Sequence, residues 1–216
     1  MKKNNLITRR VLARTLLGFL LSVGVVALSN SASADAPRAD SSNAASALPQ
    51  VKSTLDQVVE ISTKYGGEAK TDTRRQELRK AVDQTFDFRE MAKRSLGAQW
   101  EKIDATEQGQ FVDVFSDLLA RTYMKRVEIV RDDMVSIQGE KLDFPRSIVR
   151  TIVNNKGDRF PIDYKLTFDG SRWRVYDVVI ENIGLVANYR NEFAGIIRKE
   201  QFGGLMNRLK EKNAQG

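Results

Sequence analysis

The apolar side chains of this chain change their spacing once, near Arg131-Asp132-Asp133, and that change confines it to one fold class. Before it, apolar residues recur three and four apart, as on one face of a helix; beyond it they alternate, as on one face of a strand. Leu48, Val51, Leu55, Val58, Val59 and Ser62 predict a first helix, stopped by Tyr65-Gly66-Gly67. Thr71-Asp72 open a second helix. Phe88, Met91, Ala92, Ser95 and Leu96 form the stripe of a third, ending near Gly97 and Trp100. Asp104-Ala105-Thr106-Glu107 has the pattern of a capping box. It starts the longest helix, whose apolar face is Phe111, Val114, Phe115, Leu118, Leu119, Thr122 and Tyr123.

Four strands are expected beyond the switch, at about 134–142, 146–154, 159–168 and 172–181. In the third, Phe160, Ile162, Tyr164, Leu166 and Phe168 alternate with Pro161, Asp163, Lys165 and Thr167. Asn154–Asp158 and Asp169-Gly170 mark tight turns and Pro145 lies in another, so the strands form an antiparallel meander. The fourth strand is apolar at Val175, Tyr176, Val178, Val179 and Ile180, without clean alternation. It reads as covered on both faces, or as lining an apolar space. Two helices follow: Val186, Tyr189, Phe193, Ile196 and Ile197 share one stripe, Gly203-Gly204 break it, and Leu205, Met206 and Leu209 begin a short last one. Helices, a meander, then helices make one α+β domain over 48–212.

The first 34 residues read as an export signal. Lys2, Lys3, Arg9, Arg10 and Arg14 form a basic head, an apolar run extends from about Leu16 to Leu28, and Ala32-Ser33-Ala34 is a small-x-small cleavage site. The run is short for a bilayer span. Residues 35–47, rich in Ala, Ser and Asp and containing Pro37, read as a flexible lead-in. Charge must be judged without the signal. The full chain is +7, but the signal holds five basic residues and no acid, which leaves 30 basic against 28 acidic residues, or +2. The basic pI is therefore no argument for nucleic-acid binding. The basic residues Arg74, Arg75, Arg79 and Lys80 of the second helix read first as a solvated face and second as a docking patch for an acidic partner or a lipid headgroup.

The chain has no histidine and no cysteine. It thus lacks the commonest general base near neutral pH, the commonest transition-metal ligands and any thiolate chemistry. No phosphate-binding glycine loop, calcium loop or nucleophile motif is present. Asp177 stands out in the fourth strand. With a two-residue loop at Asp169-Gly170 it would face Ile162 on the apolar side, and a three-residue loop would turn it to the other side. A carboxylate tying the sheet to a helix is the favoured reading, ahead of a catalytic acid. On the residues alone the aromatic and apolar stripes read as core, although periodicity does not separate a packed core from the wall of a cavity.

Read in order, Phe86-Asp87-Phe88, Met91-Ala92, Leu96-Gly97, Trp100, the Phe111/Phe115/Leu118-Leu119/Tyr123 helix and the block Trp173, Val175–Glu181, Ile183, Leu185-Val186, Asn188-Tyr189-Arg190 and Phe193 resemble the MlaC (toluene-tolerance) family of periplasmic phospholipid carriers. The resemblance implies an NTF2-like curved antiparallel sheet of about four strands, with N-terminal helices packed on it and C-terminal helices after it. It implies a space between these layers that takes phospholipid acyl chains, and no catalytic or metal site. The implied partners are an inner-membrane MCE-domain protein of an ABC transporter and an outer-membrane lipoprotein–porin complex. Combining the stripes with the family picture, the residues expected to line the space are Met91, Leu96, Phe115, Leu119, Tyr123, Ile152, Tyr164, Leu166, Val175, Val179, Val186, Tyr189 and Phe193. A hopanoid or other apolar cargo, an NTF2-like enzyme, and an envelope adaptor with a filled core are the competing readings.

Overall fold

A computed structural model of the chain describes residues 46–215; the segment expected to be an export signal and most of the expected lead-in lie outside the described residues. Helix α1 spans Leu48–Lys64, α2 Thr71–Thr85, α3 Phe88–Leu96 and α4 Ala105–Val127. Strands β1 (Val135–Asp143), β2 (Arg146–Asn155), β3 (Asp158–Phe168), β4 (Trp173–Ile180) and β5 (Ile183–Gly184) follow, and α5 (Leu185–Ala214) closes the chain. The strands form one open, curved antiparallel sheet in sequential order. The fold is α+β, as the change of period implies. It has five strands instead of about four, because Glu181 and Asn182, both at positive φ, turn the chain back for the two-residue β5.

Local chemistry accounts for the helix starts. The capping box before α4 is complete: Asp104 Oδ1 accepts from Glu107 N at 2.8 Å, and Glu107 Oε2 accepts from Asp104 N at 3.1 Å. Asp87 caps α3 by accepting from Glu90 N at 2.9 Å. At 23 residues, α4 is the longest uninterrupted helix. The last helix runs 30 residues but breaks at Gln201, where φ is 61° and ψ 179°. That is two residues before the expected break at Gly203-Gly204. Gly204 does not stop the helix; any side chain there would collide with Glu200 across the bend.

Two β-bulges decide which side chains face which way. In β1, Ile137 pairs with Thr151 but Gly139 with Arg150, so Gln138 is the extra residue. In β4, Val175 pairs with Leu166 but Asp177 with Lys165, so Tyr176 is extra. The β3–β4 connection is a four-residue loop, Asp169–Arg172, not two residues. Asp169 Oδ1 holds it by accepting from Ser171 N and Arg172 N, both at 2.9 Å, and these bonds lower its pKa to about 2. Only β4 is covered on both sides. The second face of β2 and β3 carries half-exposed Arg150, Asp163 and Lys165.

The apolar residues gather in two clusters. The helical one joins α3, α4 and α5 around Phe111, Phe115, Tyr189 and Phe193. Its rings meet edge to face, Phe115 with Tyr189 at 5.3 Å and with Phe193 at 5.6 Å between centroids. The sheet-side one lies between α1 and the inner face of the sheet, around Val51, Val149, Leu166, Trp173, Val175 and Val178.

Candidate functional site

The sheet-side cluster is a seam between two layers, and its inner face is set strand by strand. On β2 the inward residues are Ser147, Val149 and Thr151, all 1% exposed or less. They pair with Leu166, Tyr164 and Ile162 of β3, which in turn meet Val175, Val178 and Ile180 of β4. On the other side, α1 brings Val51 and Leu55, and Phe86 after α2 docks on the free edge of β4. There Asp87 N donates to Val175 O at 2.8 Å.

Polar atoms within the seam are satisfied locally, which leaves carbon facing carbon. The Thr54 and Thr85 hydroxyls meet at 3.1 Å and also bond the carbonyls of Gln50 and Ala81. Burial raises the Tyr164 phenol to about 12 against the pull of the Thr151 hydroxyl, so it stays neutral. Burial does the same for Tyr189 in the helical cluster, also to about 12. A cavity of about 20 Å³ remains, lined by Val51, Thr54, Leu55, Thr85, Phe86, Tyr164 and Val175. Room for roughly one water is far less than the space expected between the layers. In this arrangement the layers touch.

The thirteen residues expected to line the space do not lie together. Met91, Leu96, Phe115, Leu119, Val186, Tyr189 and Phe193 belong to the helical cluster, and Tyr123 packs against it. Leu166 and Val175 belong to the seam, and Tyr164 packs there too. Ile152, paired with Pro161, and Val179, paired with Asp163, lie on the opposite face of the sheet. For Val179 the cause is the bulge at Tyr176, which moves Val178 to the inner face in its place. Val51, Thr54, Leu55, Thr85 and Phe86 line the cavity and are not among the thirteen. The α1 stripe was legible, but no residue in it names the layer it meets.

The same bulge turns Asp177 outward, toward the start of α5. The α5 helix has no side-chain cap from its own N-cap residue, Gly184. Asp177 supplies one: its Oδ1 accepts from Val186 N at 3.1 Å and its Oδ2 from Lys165 Nζ at 3.0 Å. A Cβ at residue 184 would sit 3.3 Å from that carboxylate, so glycine lets the helix start close to the strand. Asp177 therefore joins sheet to helix and faces no cavity.

A second concavity of about 480 Å³ lies on the surface between α2 and α4, with Arg75, Arg79, Lys80 and Arg121 on its rim. Beside it Glu128 takes Arg74 at 2.6 Å and Arg75 at 3.0 Å. Burial opposes the charge of Glu128, but the two guanidinium groups outweigh it and hold the carboxyl below its usual range. This charged, open groove does not suit hydrocarbon. Among the described residues no group of three His, Cys, Asp or Glu side chains is placed to hold a metal ion, and no helix is long and apolar enough to cross a membrane.

The sequence model of the family described as MlaC protein matches residues 52–211. A solved structure, the phospholipid-binding protein from Ralstonia solanacearum in complex with a phospholipid, superposes with a TM-score of 0.71 at 30% identity, over 79% of this chain and 98% of that one. Curated proteins give no match.

Proposed function

The chain belongs to the MlaC family, and on that premise we propose that it is a phospholipid carrier of the periplasm whose seam between α1 and the sheet takes up the acyl chains. The observation that carries this reading is the seam itself: a mainly apolar interface between two layers, in a chain that superposes on a protein holding a phospholipid. Moving the roughly thirty methylenes of a two-chain lipid into water costs on the order of 25 kcal/mol. Unassisted passage across an aqueous gap is then negligible, and a soluble sleeve removes most of the barrier.

A cavity of about 20 Å³ holds no acyl chain, so binding requires the layers to part. Their contact is apolar against apolar. Replacing protein methyl groups by lipid methylenes in such an interface exchanges like for like, which keeps the cost of opening low. The helical cluster, with its interlocked rings, stays closed in this reading and serves as the frame. Residues 1–34 act as the export signal, cleaved after Ala34. The carrier then moves lipid between the inner-membrane MCE-domain protein of an ABC transporter and an outer-membrane lipoprotein–porin complex. No covalent step is involved, so the reading requires no catalytic group.

Native mass spectrometry of the exported protein tests it. A bound mass of phospholipid size, lost on denaturation, is the expected result. A bound mass of hopanoid size would change the cargo, and protein free of any lipid would overturn the carrier reading.

A further inference from the structure

Most of the contact between α1 and the sheet is apolar, and apolar contact is non-directional. A helix resting on such a surface is fixed in place where polar bonds hold it. Among the described residues these bonds gather at the first turn of α1. The carboxylate of Glu140, on β1, accepts from Ala47 N at 2.8 Å, from the Ser46 hydroxyl, and from Ser147 Oγ at 2.6 Å. The N-cap residue of α1, Ala47, provides no side-chain cap, so a strand residue supplies the negative charge that a helix start favours. Glu140 can do this because the bulge at Gln138 turns it to the inner face, where it pairs with fully buried Val149. Gln50 adds a second tie: its Oε1 accepts from Trp173 N at 2.9 Å and its Nε2 donates to Trp173 O.

The other end of α1 is held differently. Arg74 of α2 donates to Tyr65 O at 2.8 Å and Gly67 O at 3.1 Å, and is itself anchored on Glu128. One end of α1 is thus tied to the sheet and the other to the helices. Apolar surface reaches solvent beside the end tied to the sheet. Phe144 is 43% exposed and packs on Phe168 and Trp173, with ring centroids 5.7 and 6.2 Å away.

We infer that acyl chains enter and leave the seam at the start of α1, and that Glu140 and Gln50 are the latch that closes this passage. The inference rests on the lipid-carrier reading. Releasing the two ties lets the first turns of α1 swing from the sheet about the Gly66-Gly67 connection, and the seam opens beside Phe144. Neither latch residue touches the middle of the seam. They therefore set how fast lipid exchanges more than which lipid is held.

The test loads the exported chain with a phosphatidylglycerol bearing a fluorescent acyl chain and mixes it with unlabelled phosphatidylglycerol vesicles in a stopped-flow cell. Gln50→Ala and Glu140→Gln are each expected to release the label about threefold to tenfold faster, the range that loss of one or two hydrogen bonds gives. Amide hydrogen exchange in the first turn of α1 should quicken in both. Arg74→Gln, which loosens the far end, should release label within about twofold of the parent, below the effect of one net hydrogen bond. Release faster from Arg74→Gln than from the latch variants overturns the passage. So does parental release from latch variants whose first-turn amides have quickened. Unchanged amide exchange in both variants overturns the latch. A parent chain that takes up no label overturns the carrier reading and the passage with it, while the amide exchange still decides whether Glu140 and Gln50 hold α1.

Discussion

The helical cluster and the sheet-side seam are built from similar side chains and close in different ways. Around Phe111, Phe115, Tyr189 and Phe193, rings meet edge to face, tilted and stacked, and moving one helix means breaking several aromatic contacts together. In the seam, Val51 and Leu55 of one layer meet Tyr164 and Val175 of the other, with a small gap left between them. A surface of methyl groups separates without losing directional contacts. The difference suits one part to be a frame and the other to open, although hydrophobicity alone does not tell them apart.

Substitutions sharpen or break this comparison. The largest effect is expected from Phe115→Ala, fully buried in the helical cluster. It should cost about 3–5 kcal/mol of unfolding free energy, read by urea denaturation. A cost under about 1 kcal/mol, no more than a volume-conserving swap, would mean that the frame is not tightly filled. Next come two insertions of the same ring. Val175→Trp overfills the closed seam and should abolish most co-purified phospholipid, at a cost of about 1–3 kcal/mol because the gap of about 20 Å³ is smaller than the added ring. Leu119→Trp overpacks the frame and should cost about 1–3 kcal/mol, with lipid content per folded molecule unchanged. If the two variants exchange these outcomes, lipid sits among the helices and the seam is only core.

Smaller effects probe the joints. Asp177→Ala removes the cap of α5 and leaves Lys165 unpaired, for an expected loss of about 1–2 kcal/mol. A neutral result would show that α5 is held by its apolar stripe alone. Gln201→Gly should gain about 1 kcal/mol, because Gln201 holds a backbone conformation that side chains other than glycine's adopt at a cost. A loss there would show that the bend is maintained by the Gln201 side chain.

Much of the fold was legible because it follows local rules. The period switch, the Asp104–Glu107 box, the tight turns and the stripes of α1, α3 and α4 all act over a few residues, and each appears within two residues of its expected place. The site was less legible. Three of the thirteen residues expected to line the space lie in the proposed seam, eight in or against the helical cluster and two on the outer face of the sheet. An apolar stripe records that a face is buried, not what buries it.

The sequence by itself determined the fold class, the helix starts, the absence of histidine and cysteine chemistry, and a likeness to one family strong enough to name it. These depend on residue identity and on spacing along the chain. Only the tertiary structure decided which apolar residues form a frame and which a seam, and where Glu140 and Asp177 point. Each of those carboxylates lies just past a bulge, at Gln138 and Tyr176, and one extra residue reverses the face of every side chain that follows. No alternation rule locates such a residue, because it is set by the strand paired beside it and the helix start that the carboxylate must reach.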